Sequence, residues 1–148
     1  MKRLFILCAL LVATGCTETK IDTSINGIDS SGRLIVINYW AEWCKPCVKE
    51  IPELNQFAEH HKDSVLLLGV NFDNLKGEAL TAANTKLGIA FQGIQDPAAT
   101  LGFERPTVLP TTVILTSDKR YIGTLVGPQT EDSLRQAIQL AEREIKAR

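Results

Sequence analysis

Two spacings alternate along the chain. Residues 34–40 run Leu-Ile-Val-Ile-Asn-Tyr-Trp, near-continuous apolar sequence of strand length, as a strand buried on both faces requires. Helical spacing follows at once, with Val48, Ile51, Leu54 and Ala58 three and four apart and an end near His60-His61. A second buried strand is predicted over 65–72, then a helix over 75–87 with Leu75, Ala79, Ala82 and Ala83 on one face. Strand, helix, strand, helix points to a parallel sheet with crossover connections.

The second half changes character. Asp96-Pro97 suits the start of a short helix over 96–101. The β-branched runs 111–116 and 121–126, parted by Ser117-Asp118-Lys119-Arg120, predict a hairpin. A last helix opens near Thr130, with Glu131 and Asp132 in its first turn. It carries Leu134, Ile138, Ala141 and Ile145 inward and ends on Lys146 and Arg148. There are no repeats and no low-complexity tracts.

The first residues follow another logic. Lys2 and Arg3 precede an apolar run over 4–12 that gives way to Ala13-Thr14-Gly15-Cys16, the layout of a secretory signal peptide over 1–15. The run is too short to span a bilayer. Small residues directly before a cysteine resemble the lipobox of bacterial lipoproteins, which implies acylation of Cys16. The alternative is plain secretion with a free Cys16. Residues 16–32, rich in Thr, Ser, Asp and Gly, read as a tether ending in a short edge strand. One domain over 33–148 accounts for the rest.

Composition narrows the partners. The 148 residues are 45% hydrophobic and 22% charged, enough apolar material for a core that does not depend on structural disulfides. The net charge of -1 becomes about -3 once Lys2 and Arg3 leave with the leader, which offers nothing to nucleic acid. Four cysteines are present. Cys8 falls in the leader and Cys16 at its end, so Cys44 and Cys47 remain as a C-x-x-C pair. Such a pair closes a loop too short to stabilise much, which favours a catalytic role.

The decisive string is Trp40-Ala41-Glu42-Trp43-Cys44-Lys45-Pro46-Cys47, between a buried strand and an amphipathic helix. Cys44 is placed at the helix N-terminus, where unpaired N–H groups and the positive dipole end favour its thiolate. Lys45 acts in the same direction, and such settings lower a cysteine pKa to ~7 or below. Pro46 suits the first turn because its missing N–H costs no helical bond there. Cys47, one turn deeper, is poised to resolve a mixed disulfide. Trp40 reads as core and Trp43 as exposed surface for docking.

This stretch resembles the thioredoxin superfamily, and its exported TlpA/ResA-like branch in particular. The resemblance covers about 33–148. Pro52 falls where the family's active-site helix has its kinking proline, and Leu109-Pro110-Thr111-Thr112 matches the family's cis-proline loop. It implies an α/β thioredoxin-like fold, a central mixed sheet flanked by helices, with the branch's insertion over about 75–103. It also implies that Pro110 is cis, faces the cysteine pair and leaves the Leu109 backbone to an extended substrate. Asn38 stands where plain thioredoxin has a buried aspartate. The assisting carboxylate is then sought in Asp73, with Asn74 as the competing alignment, or in Glu42.

The activity implied is dithiol–disulfide exchange on exported proteins such as apocytochrome c, with electrons from a membrane partner of DsbD/CcdA type. Attachment through Cys16 implies an extracytoplasmic, membrane-tethered protein, and Thr17 favours the outer membrane where a cell has two. No cofactor and no metal are expected. His60-His61 read as helix-end histidines beside the dipole, and Arg105 and Lys119 as solvated loop charges. The rivals are a thiol peroxidase or dithiol oxidase on the same fold, and a copper-binding or scaffold lipoprotein. Redoxin peroxidases place their cysteine in a Thr-x-x-Cys setting, and copper-delivery relatives use a longer cysteine spacing with a distant histidine.

Overall fold

The computed structural model describes residues 24–147. The leader expected over 1–15, Cys16 and the first part of the tether lie outside the described residues. A 3₁₀ turn over Ile25–Gly27 comes first. Then follow β1 (Leu34–Trp40), α1 (Lys45–His60), β2 (Val65–Asn71), α2 (Gly77–Leu87) and β3 (Gln92–Gly93). The chain ends with α3 (Ala98–Leu101), β4 (Thr111–Leu115), β5 (Tyr121–Val126) and α4 (Glu131–Ala147). The sheet order is β3-β2-β1-β4-β5. β1 and β2 pair in parallel from Leu34↔Val65 to Trp40↔Asn71, as the intervening helix requires, while β4 runs antiparallel to β1 and to β5. This is the α/β arrangement expected, a mixed sheet flanked by helices.

β1 is buried along its whole length because it lies at the centre of the sheet with both faces covered. Alternation splits its side chains. Leu34 and Val36 face α1 and α4, meeting Leu54, Phe57, Leu134 and Ile138. Ile35, Ile37 and Tyr39 face the other way, against Leu68, Val113, Ile94 and the N-terminal Ile25 and Ile28. A third cluster gathers Trp40, Ala41, Cys44 and Cys47 against Ala83, with Leu75, Leu80 and Leu87 beside it.

Several expectations are corrected. Residues 24–32 hold no strand; Ile25, Ile28 and Ser30 are buried, so packing reaches back beyond the boundary expected at 33. α2 begins at Gly77 rather than 75, and Ala79 and Ala82 face solvent. Ala83, with Leu80 and Leu87, makes its contact instead. Ile145 is exposed near the end of α4. The expected 75–103 segment contains α2, α3 and the two-residue β3, a strand too short to leave a periodic signal.

Candidate active site

The cysteines are placed by the turn from β1 into α1. Cys44 is the N-cap, with extended backbone, and its Sγ accepts the Cys47 N–H at 3.3 Å, so a first-turn amide points at that sulfur. Pro46 follows within the first turn. Cys44 and Cys47 form a disulfide. Cys44 keeps 4% of its surface exposed and Cys47 none, so what access there is lies on the Cys44 side. Lys45 and Pro46 are exposed beside it. Pro52 lies inside α1, where its lack of an N–H leaves the Val48 carbonyl without its helical partner.

The Leu109–Pro110 peptide is cis, the geometry the resemblance implies. Leu109 packs against the Trp40–Cys44–Cys47 cluster, which brings this loop to the cysteine pair. The loop is held by the Gly127 N–H donating to the Pro110 carbonyl at 2.9 Å and the Thr111 hydroxyl donating to the Val108 carbonyl at 2.7 Å. Next to it an open groove of about 550 Å³ is lined by Phe103, Arg105, Pro106, Val108, Tyr121 and Val126.

The buried carboxylate here is neither Asp73 nor Glu42. Asp73 is exposed and accepts the Trp43 indole N–H at 2.9 and 3.1 Å, and Glu42 pairs with Lys86 of α2. Asn74 takes the left-handed conformation in the turn after β2. Glu50, one turn after Cys47 on the inner face of α1, is only 2% exposed. Its Oε1 accepts from Asn38 Nδ2 at 2.8 Å and its Oε2 from the Gln129 N–H at 2.7 Å. Burial raises its pKa, against the lowering effect of those two donors. Asn38 also donates to Thr112 Oγ1 at 3.3 Å, while its own Oδ1 is buried without a partner. The signal for Glu50 was present in the sequence as a charged residue at helical spacing among Cys47, Ile51 and Leu54.

Trp40 is core, as expected, and Trp43 is 63% exposed. Lys119 lies in the hairpin turn, half-buried, and its Nζ donates to the Asn26 carbonyl at 3.5 Å, so it is more than a solvated loop charge. Arg105 is not simply a solvated loop charge. It donates to Asp96 Oδ2 at 2.6 Å and to the Phe72 carbonyl at 2.7 Å, and lies 4.1 Å over the Phe72 ring. His60 pairs with Glu131 across α1 and α4. Among the described residues no group of three His, Cys, Asp or Glu side chains could hold a metal ion, and no helix is long and apolar enough to cross a membrane.

The chain is similar to the thiol-disulfide oxidoreductase ResA of Bacillus thuringiensis, 27% identical over 108 residues, which are 72% of this chain and 62% of that relative. The chain therefore spans less than two thirds of that protein's length. It is also similar to the sporulation thiol-disulfide oxidoreductase A of Bacillus subtilis, 29% identical over 116 residues, covering 74% and 68%. Among solved structures, a secreted thiol-disulfide isomerase from Corynebacterium glutamicum superposes with a TM-score of 0.61 at 27% identity, over 75% of this chain and 72% of that one. A model of the AhpC/TSA family matches residues 14–120. With most of its length covered by that match and a thioredoxin-like fold around its cysteine pair, the chain belongs to the AhpC/TSA family.

Proposed function

We propose that the protein is a thiol–disulfide oxidoreductase of the ResA type, acting on protein substrates outside the cytoplasm. The observation that carries this reading is the Cys44–Cys47 disulfide with Cys44 at the capped start of α1. In the reduced enzyme the Cys44 thiolate, favoured by the first-turn amide and the helix dipole, attacks one sulfur of a substrate disulfide. That bond breaks, the other substrate sulfur leaves as a thiolate and takes a proton, and a mixed disulfide joins Cys44 to the substrate. Cys47 loses its proton and attacks Cys44 Sγ, releasing the second substrate thiol and re-forming Cys44–Cys47. Glu50, one turn after Cys47, supplies a buried carboxylate, and Asn38, hydrogen-bonded to it, adds an unpartnered buried amide oxygen.

Two electrons must then return from a donor, since an extracytoplasmic space is oxidising. We assign that role to a membrane dithiol partner of DsbD/CcdA type and the tether to acylated Cys16. The secreted relative supports the compartment. The AhpC/TSA family match favours one second reading, a thiol peroxidase. Against it, Ala41 rather than threonine stands three residues before Cys44.

Insulin reduction with dithiothreitol as electron source tests the proposal. Cys44→Ser abolishes turnover, whereas Cys47→Ser accumulates mixed disulfides visible on non-reducing gels. Retained activity in both variants would falsify the reading. Faster consumption of hydrogen peroxide than of insulin disulfides replaces it by the peroxidase.

A further inference from the structure

Trp43, the residue before Cys44, shows most of its indole to solvent, yet its neighbours are fixed. Its N–H is held by Asp73, and its ring meets Phe72 edge-on at 6.2 Å and 86°. Phe72 and Asp73 are consecutive residues of the turn after β2, so whatever fixes that turn fixes the indole. Arg105 does this twice. It donates to the Phe72 carbonyl, and its guanidinium lies over the Phe72 ring, 4.1 Å from the centroid. Arg105 is anchored in turn through Asp96, whose Oδ1 accepts from the Tyr39 hydroxyl at 2.8 Å and from the Ala98 N–H at 3.0 Å. Tyr39 is fully buried in β1, and its burial, then the Asp96 hydrogen bond, keeps the hydroxyl protonated and donating. The chain of contacts thus runs from the centre of the sheet to the surface beside the nucleophile.

We propose that Arg105 is a positioning residue for polypeptide substrates. By fixing the Phe72–Asp73 turn it presets the Trp43 indole, so a protein with an apolar group flanking its disulfide docks on a rigid aromatic face next to Cys44. This rests on the oxidoreductase reading and deepens it to a substrate class, because a preset platform lowers the ordering cost of docking a polypeptide.

The chain has two tryptophans, so 5-fluorotryptophan labelling gives two ¹⁹F signals, that of Trp43 assigned with Trp43→Phe. In Arg105→Gln the Trp43 resonance narrows and moves toward that of the free amino acid. KM for insulin rises ~2–5-fold, the range a lost cation–π contact implies, while kcat changes less. Arg105→Lys, which keeps the charge toward Asp96 but lacks the planar fork, falls between. An unmoved Trp43 resonance, an unchanged KM, or a loss confined to kcat overturns the proposal. Wild-type protein that reduces no insulin sinks the functional reading instead, and the fluorine spectra, which need no turnover, still decide whether Arg105 holds Trp43.

Discussion

Glu50 receives hydrogen bonds from Asn38 and from the Gln129 backbone, and makes no ion pair among the described residues. Two donors offset only part of the cost of burying its charge, which is why its pKa is raised. The folded protein therefore keeps that proton to a higher pH than the unfolded chain does. Stability from this group is fully present below the ordinary glutamate pKa and is lost as pH rises through the raised value. Glu50→Gln has no such proton to release. Urea midpoints measured from pH 4 to pH 8 should fall for wild type relative to this variant as pH rises; parallel curves would mean an unperturbed carboxylate. A Glu50 that takes the Cys47 proton must be ionised to do so, and the variant then alters the acidic limb of the insulin-reduction profile. The acid was legible in the sequence only as a charge out of place on an apolar helix face. Glu42 is near Cys44 in sequence and Asp73 lies in the loop after β2, but both side chains are held at the surface, by Lys86 and Trp43.

Elements with a strong pattern were readable from the chain alone. β1 and β5 have the expected limits because runs dominated by apolar and β-branched residues, broken only by Asn38 and Gly123, favour extended chain. α2 was not so readable: alanines at 79, 82 and 83 carry too little side chain to say which face is inward, and Leu80 and Leu87 decide it. β2 illustrates a constraint no period reveals. A Cβ on Gly69 would stand 2.8 Å from Phe91 Cε2 and 3.2 Å from Trp40 Nε1, so the strand passes under two rings where only glycine fits. Gly69→Ala should cost ~1–3 kcal/mol by overpacking, read as a lower urea midpoint with unchanged slope. A variant as stable as wild type would show that Phe91 swings away freely. Trp40 lies in the same cluster as both cysteines, so the clash should also be felt at the site.

For the whole molecule, a disulfide that opens and closes each cycle is useful only if the fold does not rely on it. The three apolar clusters, the five-stranded sheet and the α1–α4 packing are built from residues on both halves of the chain, and the cysteines join just one cluster. The bridge spans a sequence separation of 3. Loop-closure entropy for so short a ring amounts to about 2 kcal/mol, less than half of the roughly 5–15 kcal/mol that stabilises an ordinary domain. Urea unfolding with and without dithiothreitol should accordingly differ by about 2 kcal/mol, the oxidised form being the more stable. The slope should stay the same, because it scales with the surface exposed on unfolding and reduction leaves the core in place. The Cys44→Ser, Cys47→Ser double variant should behave like the reduced protein. A much larger loss, or a slope that drops on reduction, would mean that packing around Trp40 comes apart with the bond. The pair would then be a structural staple, and an enzyme whose disulfide opens in every cycle could not be built around it.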